Sequence, residues 1–388
     1  MMVKVFVPRD MLAKALGADE VAAAIVKEAK AKKISVQIIR NSSRGLAWLE
    51  PFVEIETPEG RTGYGGVKVG DVKSLFAARF LEGGKHKLSQ GLVEEIPFLK
   101  NQERLTFARA GITDPVSLDD YISHGGFEGL KKALTMSGAD IVKEVIDSGL
   151  RGRGGAGFPT GIKWKTVNEI KASQKYICCN ADEGDSGTFA DRMVMEGDPF
   201  MLIEGMIIAG IAAGATKGFI YIRSEYPLAI DTMKEAMALA KSAKWLGDNI
   251  QHTDKSFSLE VRRGAGAYIC GEETAMLESL EGKRGIIRAK PPIPAIEGLF
   301  GQPTIINNVL SFCAVPFIMA KGSQAYADYG VGRSRGTMPF QLGGNLNQGG
   351  IVEKAFGVTL RELVEGFGGG PYMGKPLRAV QVGGPLGA

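Results

Sequence analysis

The chain has 388 residues, with 47 Lys and Arg against 43 Asp and Glu and a net charge of +4. So even a balance leaves no electrostatic footprint for nucleic acid or an anionic membrane surface, and no apolar run is long enough to span a bilayer. With 44% hydrophobic and 23% charged residues, it reads as a globular chain of two or three domains. Four cysteines make no disulfide framework in a chain this size, which predicts a reducing, cytoplasmic setting. The 53 glycines gather in loops and form no repeat.

In chain order, residues 3–7 alternate as a strand and 18–33 read as an amphipathic helix. Strands follow at 34–39 and 52–55, then a helix at 70–81. This small α/β unit is assigned to residues 1–83. Gly83, Gly84 and Pro97 break the pattern, so residues 84–125 read as a linker, irregular over 83–113. Helical patterns at 127–136 and 139–148 open a central unit, residues 126–330. A glycine-rich loop comes next, then a helix at 161–170, a strand at 175–180 and a long apolar helix at 199–213. A strand at 218–223 and a helix at 227–243 continue the alternation, which predicts a layered α/β core. From Thr337, short strands, paired glycines, a helix near 359–365 and a strand at 377–382 predict a small α+β unit, residues 331–388. That unit is expected to be incomplete at Ala388.

Three segments carry chemistry. The first is the loop with Gly152, Arg153, Gly154, Gly155, Ala156 and Phe158. A backbone so poor in side chains presents N–H groups that can converge on phosphate oxygens, and Arg151 and Arg153 add fixed positive charge. Gly152, Gly154 and Gly157 fit the G-x-G-x-x-G spacing, yet a helical pattern precedes them where a dinucleotide fold needs a strand. A P-loop is excluded because Ile162 separates Gly161 from Lys163. A flexible surface turn is the bland alternative.

The second segment, Asn180, Asp182, Glu183 and Asp185, follows an apolar strand, where α/β proteins place ligands. An amide beside carboxylates suits a heterocycle, a carboxamide and ribose hydroxyls, and negative charge beside a flavin would favour two-electron transfer. A solvated acidic turn capping the next helix competes. The third runs from Arg262 through Tyr268, Gly271, Glu272 and Glu273 into a helix. Acids in a first helical turn are equally explained by capping; the functional reading gives Glu273 the ribose hydroxyls. Asn307 and Asn308 are either a plain turn or partners for an isoalloxazine edge. Cys178, Cys179, Cys270 and Cys313 read as core, and no metal ligands are expected among them.

In this order the segments resemble the flavin- and NADH-binding subunit of respiratory complex I and its soluble relatives, from about Ser148 onward. The resemblance implies FMN and NAD(H) as cofactors. It places the loop 152–158 and Lys163 on both, Asn180 and Asp182 on the flavin, and Glu183 beside the hydride-transfer face as the catalytic residue. Asp185, Tyr268, Gly271, Glu272, Glu273, Lys290, Asn307 and Asn308 complete the expected site. Ile293 stands where many relatives have phenylalanine, so no ring stacking is expected there. The N-terminal unit resembles the thioredoxin-like iron–sulfur domain of partners of this family. Ser43 and Ala47 occupy its cysteine positions and cannot hold iron, so a docking module without a cluster is expected. The four-iron cluster of the family is expected only beyond Ala388, after a β-grasp-like unit.

Such a fusion looks most like the beta subunit of molybdenum-dependent, NAD-linked formate dehydrogenases. The implied partners are an iron–sulfur small subunit and a molybdenum-containing large subunit, with NADH or NAD+ as substrate. The competing expectations are the equivalent subunit of an NAD-linked hydrogenase or of complex I, a non-catalytic assembly subunit, and a nucleotide-binding transferase.

Overall fold

The computed structural model describes residues 2–185, 187–384 and 387. The N-terminal part is a five-stranded mixed sheet of β1 (Val3–Phe6), β2 (Val36–Ile39), β3 (Val53–Thr57), β4 (Gly60–Tyr64) and β5 (Ser89–Leu92). Its order is β2-β1-β3-β4-β5. β1 and β2 are parallel, joined by the Ala18–Ala31 helix, and the other pairs are antiparallel. Val5, Ile25, Ile55, Tyr64 and Leu75 close one core between sheet and helices. The helix expected over 70–81 covers only Val72–Ala77, because Arg79 turns left-handed at φ 57 and ends the run.

The central part is a four-stranded, wholly parallel sheet of β6 (Tyr176–Ala181), β7 (Lys217–Ile222), β8 (Ser258–Arg263) and β9 (Thr304–Asn308), in the order β8-β7-β6-β9. Both faces are covered, as a parallel sheet requires. Ile177, Cys179, Ala181, Ile220 and Ile305 face the core that holds the Pro199–Ala213 and Pro227–Ser242 helices. Cys178, Phe219, Tyr221 and Ile306 face the Glu273–Leu280 helix. The strand period of two thus sorts one apolar run onto two layers. Glu204 is the one charged residue of the Pro199–Ala213 helix, and it is buried. It accepts hydrogen bonds from Tyr121 Oη at 2.6 Å, Phe127 N at 2.8 Å and Leu130 N at 2.9 Å, so the burial is satisfied. No helix among the described residues is long and apolar enough to cross a membrane.

The C-terminal part starts with two short strands, β10 (Gly330–Val331) and β11 (Ser334–Arg335), followed by the hairpin β12 (Thr337–Leu342) and β13 (Gly350–Ala355). A π-helical turn, Glu362–Phe367, stands near the helix expected at 359–365. The strand expected at 377–382 is absent: among the described residues no strand pairs with it, and Leu377 and Val382 are 44% and 51% exposed. An alternating pattern needs a partner to become a strand. The segment expected as an irregular connector is ordered for the converse reason. β5 pairs with β4, beyond the boundary expected at residue 83. Val93, Phe98 and Leu99 then join Leu46 and Phe52 to Val352 and Phe367 in a core shared by N- and C-terminal parts.

Glu353 on β13 fastens this junction. Fully buried, it accepts from Thr106 N at 2.9 Å, Phe107 N at 2.8 Å and Thr337 Oγ1 at 2.6 Å. Glu353→Ala would strand these donors, at roughly 1–3 kcal/mol for each group left unpaired. We expect a loss of about 3 kcal/mol or more in urea unfolding, and a smaller loss for Glu353→Gln; a change under about 0.5 kcal/mol would remove the role.

Candidate functional site

The chain steps from β6 to β7 to β8, then returns to lay β9 on the far side of β6. This reversal opens a crevice at the C-terminal ends of β6 and β9, the usual ligand position in open parallel sheets. Asn180 and Asn308 face each other across it in register. A cleft of two lobes, about 260 and 300 Å3, lies there, and both lobes are lined by Gly154, Asn180, Gly271, Glu272 and Asn308.

One wall is the glycine-rich loop. The Gly138–Asp147 helix precedes it, as the sequence indicates. Gly152 N donates to Phe158 O and Thr160 N to Leu150 O, both at 2.9 Å, closing the loop at its base. Gly155 (φ 106) and Gly157 (φ 60) take backbone conformations that favour glycine. Among the described residues, the N–H groups of 154–158 meet no acceptor. A Cβ at Gly154 would lie 3.0 Å from Asn308 Cβ, so a bare backbone is needed for the loop to approach β9.

The second wall follows β6. Asn180 Nδ2 donates to Gly271 O at 2.8 Å, and its Oδ1 accepts from Asp182 N at 3.2 Å. Burial pushes Asp182 up to about 6; Arg223 opposes this, and Glu225 and Glu183 add to it. Glu183 Oε1 accepts from Asp185 N at 2.9 Å, and Arg223 donates to the Glu183 carbonyl. The third wall holds the acid pair. Glu272 caps the Glu273–Leu280 helix, its Oε2 accepting from Thr274 N at 2.8 Å and Ala275 N at 3.0 Å. Burial works against its charge, but these donors and Lys290 hold it below the usual carboxylate range. Glu273 does not cap. It lies between Lys290 Nζ at 2.7 Å and Lys163 Nζ at 3.8 Å. Lys163 Nζ also donates to Ile306 O at 2.7 Å, and burial lowers its pKa although Glu273 opposes the shift.

Residues 145–317 match the family model described as the Nuo51 FMN-binding domain. The F 2 subunit of the NADH-quinone oxidoreductase of Rhizobium meliloti is 47% identical over 73% of this chain and 67% of its own length. The chain belongs to the family of the complex I 51-kDa, FMN-binding subunit. Another family member, the HndC subunit of the NADP-reducing hydrogenase of Solidesulfovibrio fructosivorans, is 50% identical over 74% of this chain and 59% of its own. The F subunit of Escherichia coli NADH-quinone oxidoreductase is 44% identical over 72% and 63%. Among solved structures, an NAD+-reducing NiFe hydrogenase in the H2-reduced state matches with a TM-score of 0.61 at 28% identity. That match covers 95% of this chain and 61% of the other. The chain therefore spans about three fifths to two thirds of the length of the relatives named here.

Within this family fold, Gly152, Ala156, Phe158, Lys163, Asp182, Glu183, Tyr268, Glu273, Lys290 and Asn307 also line the cleft. Three expected contacts are placed elsewhere. The Arg153 guanidinium is turned away, donating to Tyr326 Oη at 2.8 Å and Arg335 O at 2.7 Å and lying over the Phe356 ring. Asp185 bonds its own turn through Gly187 N at 2.9 Å, and Gly155 lines neither lobe. Asn307 lines the cleft, but its Oδ1 already accepts from Trp164 Nε1 at 2.9 Å. The sequence reading missed Asp191, which is 3% exposed and lines the smaller lobe, and Ser311, whose Oγ accepts from Arg153 N at 2.9 Å. Both sit in helices that the strand-end signal does not reach.

The Trp164–Asn307 bond fixes the Thr160–Glu169 helix to the end of β9. Trp164→Phe keeps an aromatic ring in place but leaves the Asn307 carbonyl without its donor, at a cost of about 1–3 kcal/mol. A lower urea midpoint with unchanged slope is expected; an unshifted midpoint would show the bond to be dispensable.

Proposed function

We propose that this protein is an FMN-dependent, NAD(H)-linked oxidoreductase module. The observation that carries this reading is the row of amides at 154–158, which meet no acceptor among the described residues, set over the β6–β9 crevice with two lysines and an acid pair opposite. The pocket fits such a group by its own chemistry. Bare N–H groups and lysines suit phosphate, and the Asn308 amide and the Asp182 and Asp191 carboxyls suit a ring edged with donors and acceptors. When bound, FMN supplies hydride acceptance from reduced nicotinamide and one-at-a-time electron release.

The protein's share is orientation, charge and exclusion of water. Residues 154–158 would hold phosphate and ring oxygens. Asn180, tied to Gly271, keeps the acidic loop and the Tyr268–Gly271 turn at fixed separation. Glu273 would take ribose hydroxyls from between its two lysines. Tyr268 is 74% exposed, and its ring lies against Gly184, where a Cβ would come within 2.4 Å of it. It thereby roofs the lobe holding Glu183, the residue we place beside the reacting nicotinamide.

The finer reading is the beta subunit of a formate dehydrogenase, passing electrons from a molybdenum subunit through an iron–sulfur relay to NAD+. Its support is the N-terminal sheet fused to the flavin-family fold, with Ser43 and Ala47 at the expected ligand positions. Likeness to the hydrogenase subunit and structure supports a second reading, the diaphorase of a hydrogen-oxidising complex. Co-purification with molybdopterin or with nickel separates the two.

NADH oxidation by ferricyanide, with and without added FMN, tests the core proposal. Glu183→Gln keeps an acceptor for Asp185 N, so FMN affinity should hold while dye reduction falls at least about tenfold, roughly 1.4 kcal/mol of barrier. Full turnover in the variant would refute the role of Glu183, and inertness of the FMN-loaded native protein would refute the module.

A further inference from the structure

Asp191, like Ser311, is a residue of the cleft that neither sequence nor family likeness brought forward. It lies in the first turn of the Ala190–Gly197 helix, 3% exposed, on the wall of the smaller lobe. Its Oδ2 accepts from Asn308 Nδ2 at 2.6 Å. Among the described residues, Oδ1 has no partner and no cation pairs with the carboxyl. Asn308 is in turn locked, its Oδ1 accepting from Leu310 N at 2.9 Å. With Oδ2 occupied as an acceptor, a proton on this group belongs on Oδ1, the oxygen left free.

The titratable groups that face it supply no positive charge. Glu183 comes from the acidic loop, Cys179 from β6, Cys313 from the Val309–Cys313 helix and Tyr226 from the turn after β7. None of these is a cation. Arg192, next in sequence, lies over the Tyr226 ring at 5.9 Å. Burial, and then Glu183, raise Asp191 to about 7, with the Asn308 bond pulling the other way.

Resting on the FMN reading above, we propose that Asp191 is a positioning residue of the flavin pocket: a neutral acid, aimed through Asn308, that donates to an acceptor atom of the cofactor, so that FMN loading takes up one proton. An ionised Asp191 offers no donor and adds a negative charge beside an anionic ligand. Binding therefore favours the protonated form and raises its pKa further. Above about pH 7, affinity should fall by up to about tenfold per pH unit as the free protein loses that proton.

The test follows the quenching of FMN fluorescence on titrating apoprotein between pH 6 and 9. Native Kd should rise through that range, while Asp191→Asn, which keeps an acceptor for Asn308, should show a nearly flat Kd above pH 7. A role in packing alone would weaken binding equally at every pH, and parallel curves would overturn the inference with the FMN reading intact. Should the variant fail to fold, calorimetry on native protein at pH 8 in two buffers of different ionisation enthalpy decides instead. About one proton taken up per FMN is expected, and likewise with riboflavin, which has no phosphate to titrate; zero uptake would overturn the proposal. Absence of any FMN binding, native or variant, would reject the FMN reading itself and this inference with it.

Discussion

The site depends on one pairing: β6 and β9, more than a hundred residues apart, lie side by side and parallel with Asn180 opposite Asn308. Parallel strands end at the same side of a sheet, so the loops leaving β6 and β9 must rise together. Because β7 and β8 lie only on the other flank of β6, the β6–β9 junction is where the strand order reverses, the usual place for a crevice in an open parallel sheet. The glycine loop comes so close to that opening that a Cβ at Gly154 would lie 3.0 Å from Asn308 Cβ. The Glu273–Leu280 helix is brought to it by the core that Cys178, Tyr221 and Ile306 share with Met276 and Leu277. Three walls from distant parts of the chain are thus set by one strand register.

The acids of the cleft fall into two physical classes. Glu272 and Glu273 stand at a helix start in ion pairs with Lys290 and Lys163, and backbone donors with Lys290 lower the pKa of Glu272 against its burial. Asp182 and Asp191 are buried with no ion pair among the described residues, and burial pushes both toward the neutral form. A count of carboxylates therefore overstates the negative field over the crevice. Asp185 spends its charge on its own turn. The cleft combines an ion-paired face, suited to hydroxyls, with a polar face whose buried acids hold protons more readily, suited to a heterocycle.

Much of this was legible in the residues. The long apolar helix at 199–213 and the strands β6 and β7 declare themselves because burial on both faces demands continuous apolar runs, whereas the edge strand β8, polar and half-exposed, was not foreseen. The glycine loop, Asn180, Glu273 and Asn308 were visible because close backbone approach and strand ends each carry local signals. What escaped was what depends on a partner. β5 has a weak pattern and exists by pairing with β4, while residues 377–382 have a good pattern and, among the described residues, no strand paired with them. Arg153 looked like a ligand contact because guanidinium charge suits phosphate, yet the acceptors within its reach, Tyr326 and Arg335, come from some 170 residues downstream. Asp191 gave no signal, since an acid in a first helical turn is ordinary; only its burial and its bond to Asn308 distinguish it.

The stretch 41–50 is held by a buried polar network. Asn41 Nδ2 donates to Gly111 O at 2.7 Å, Ser42 Oγ accepts from Gly111 N at 3.0 Å, and Ser43 N donates to Asp10 Oδ2 at 2.7 Å. Ser43 Oγ donates to the buried Glu50, whose pKa burial raises first and Asp10 second. On the other side, Met11 N donates to Glu196 Oε2 at 2.8 Å, and a Cβ at Gly197 would lie 2.7 Å from Ser42 Cβ. Glu196 and Gly197 end the same helix that begins with Ala190 and Asp191. Buried polar networks of this kind fix orientation more than they add stability. The loop therefore works as a joint, seating the N-terminal sheet on one end of the helix whose other end reaches the cleft.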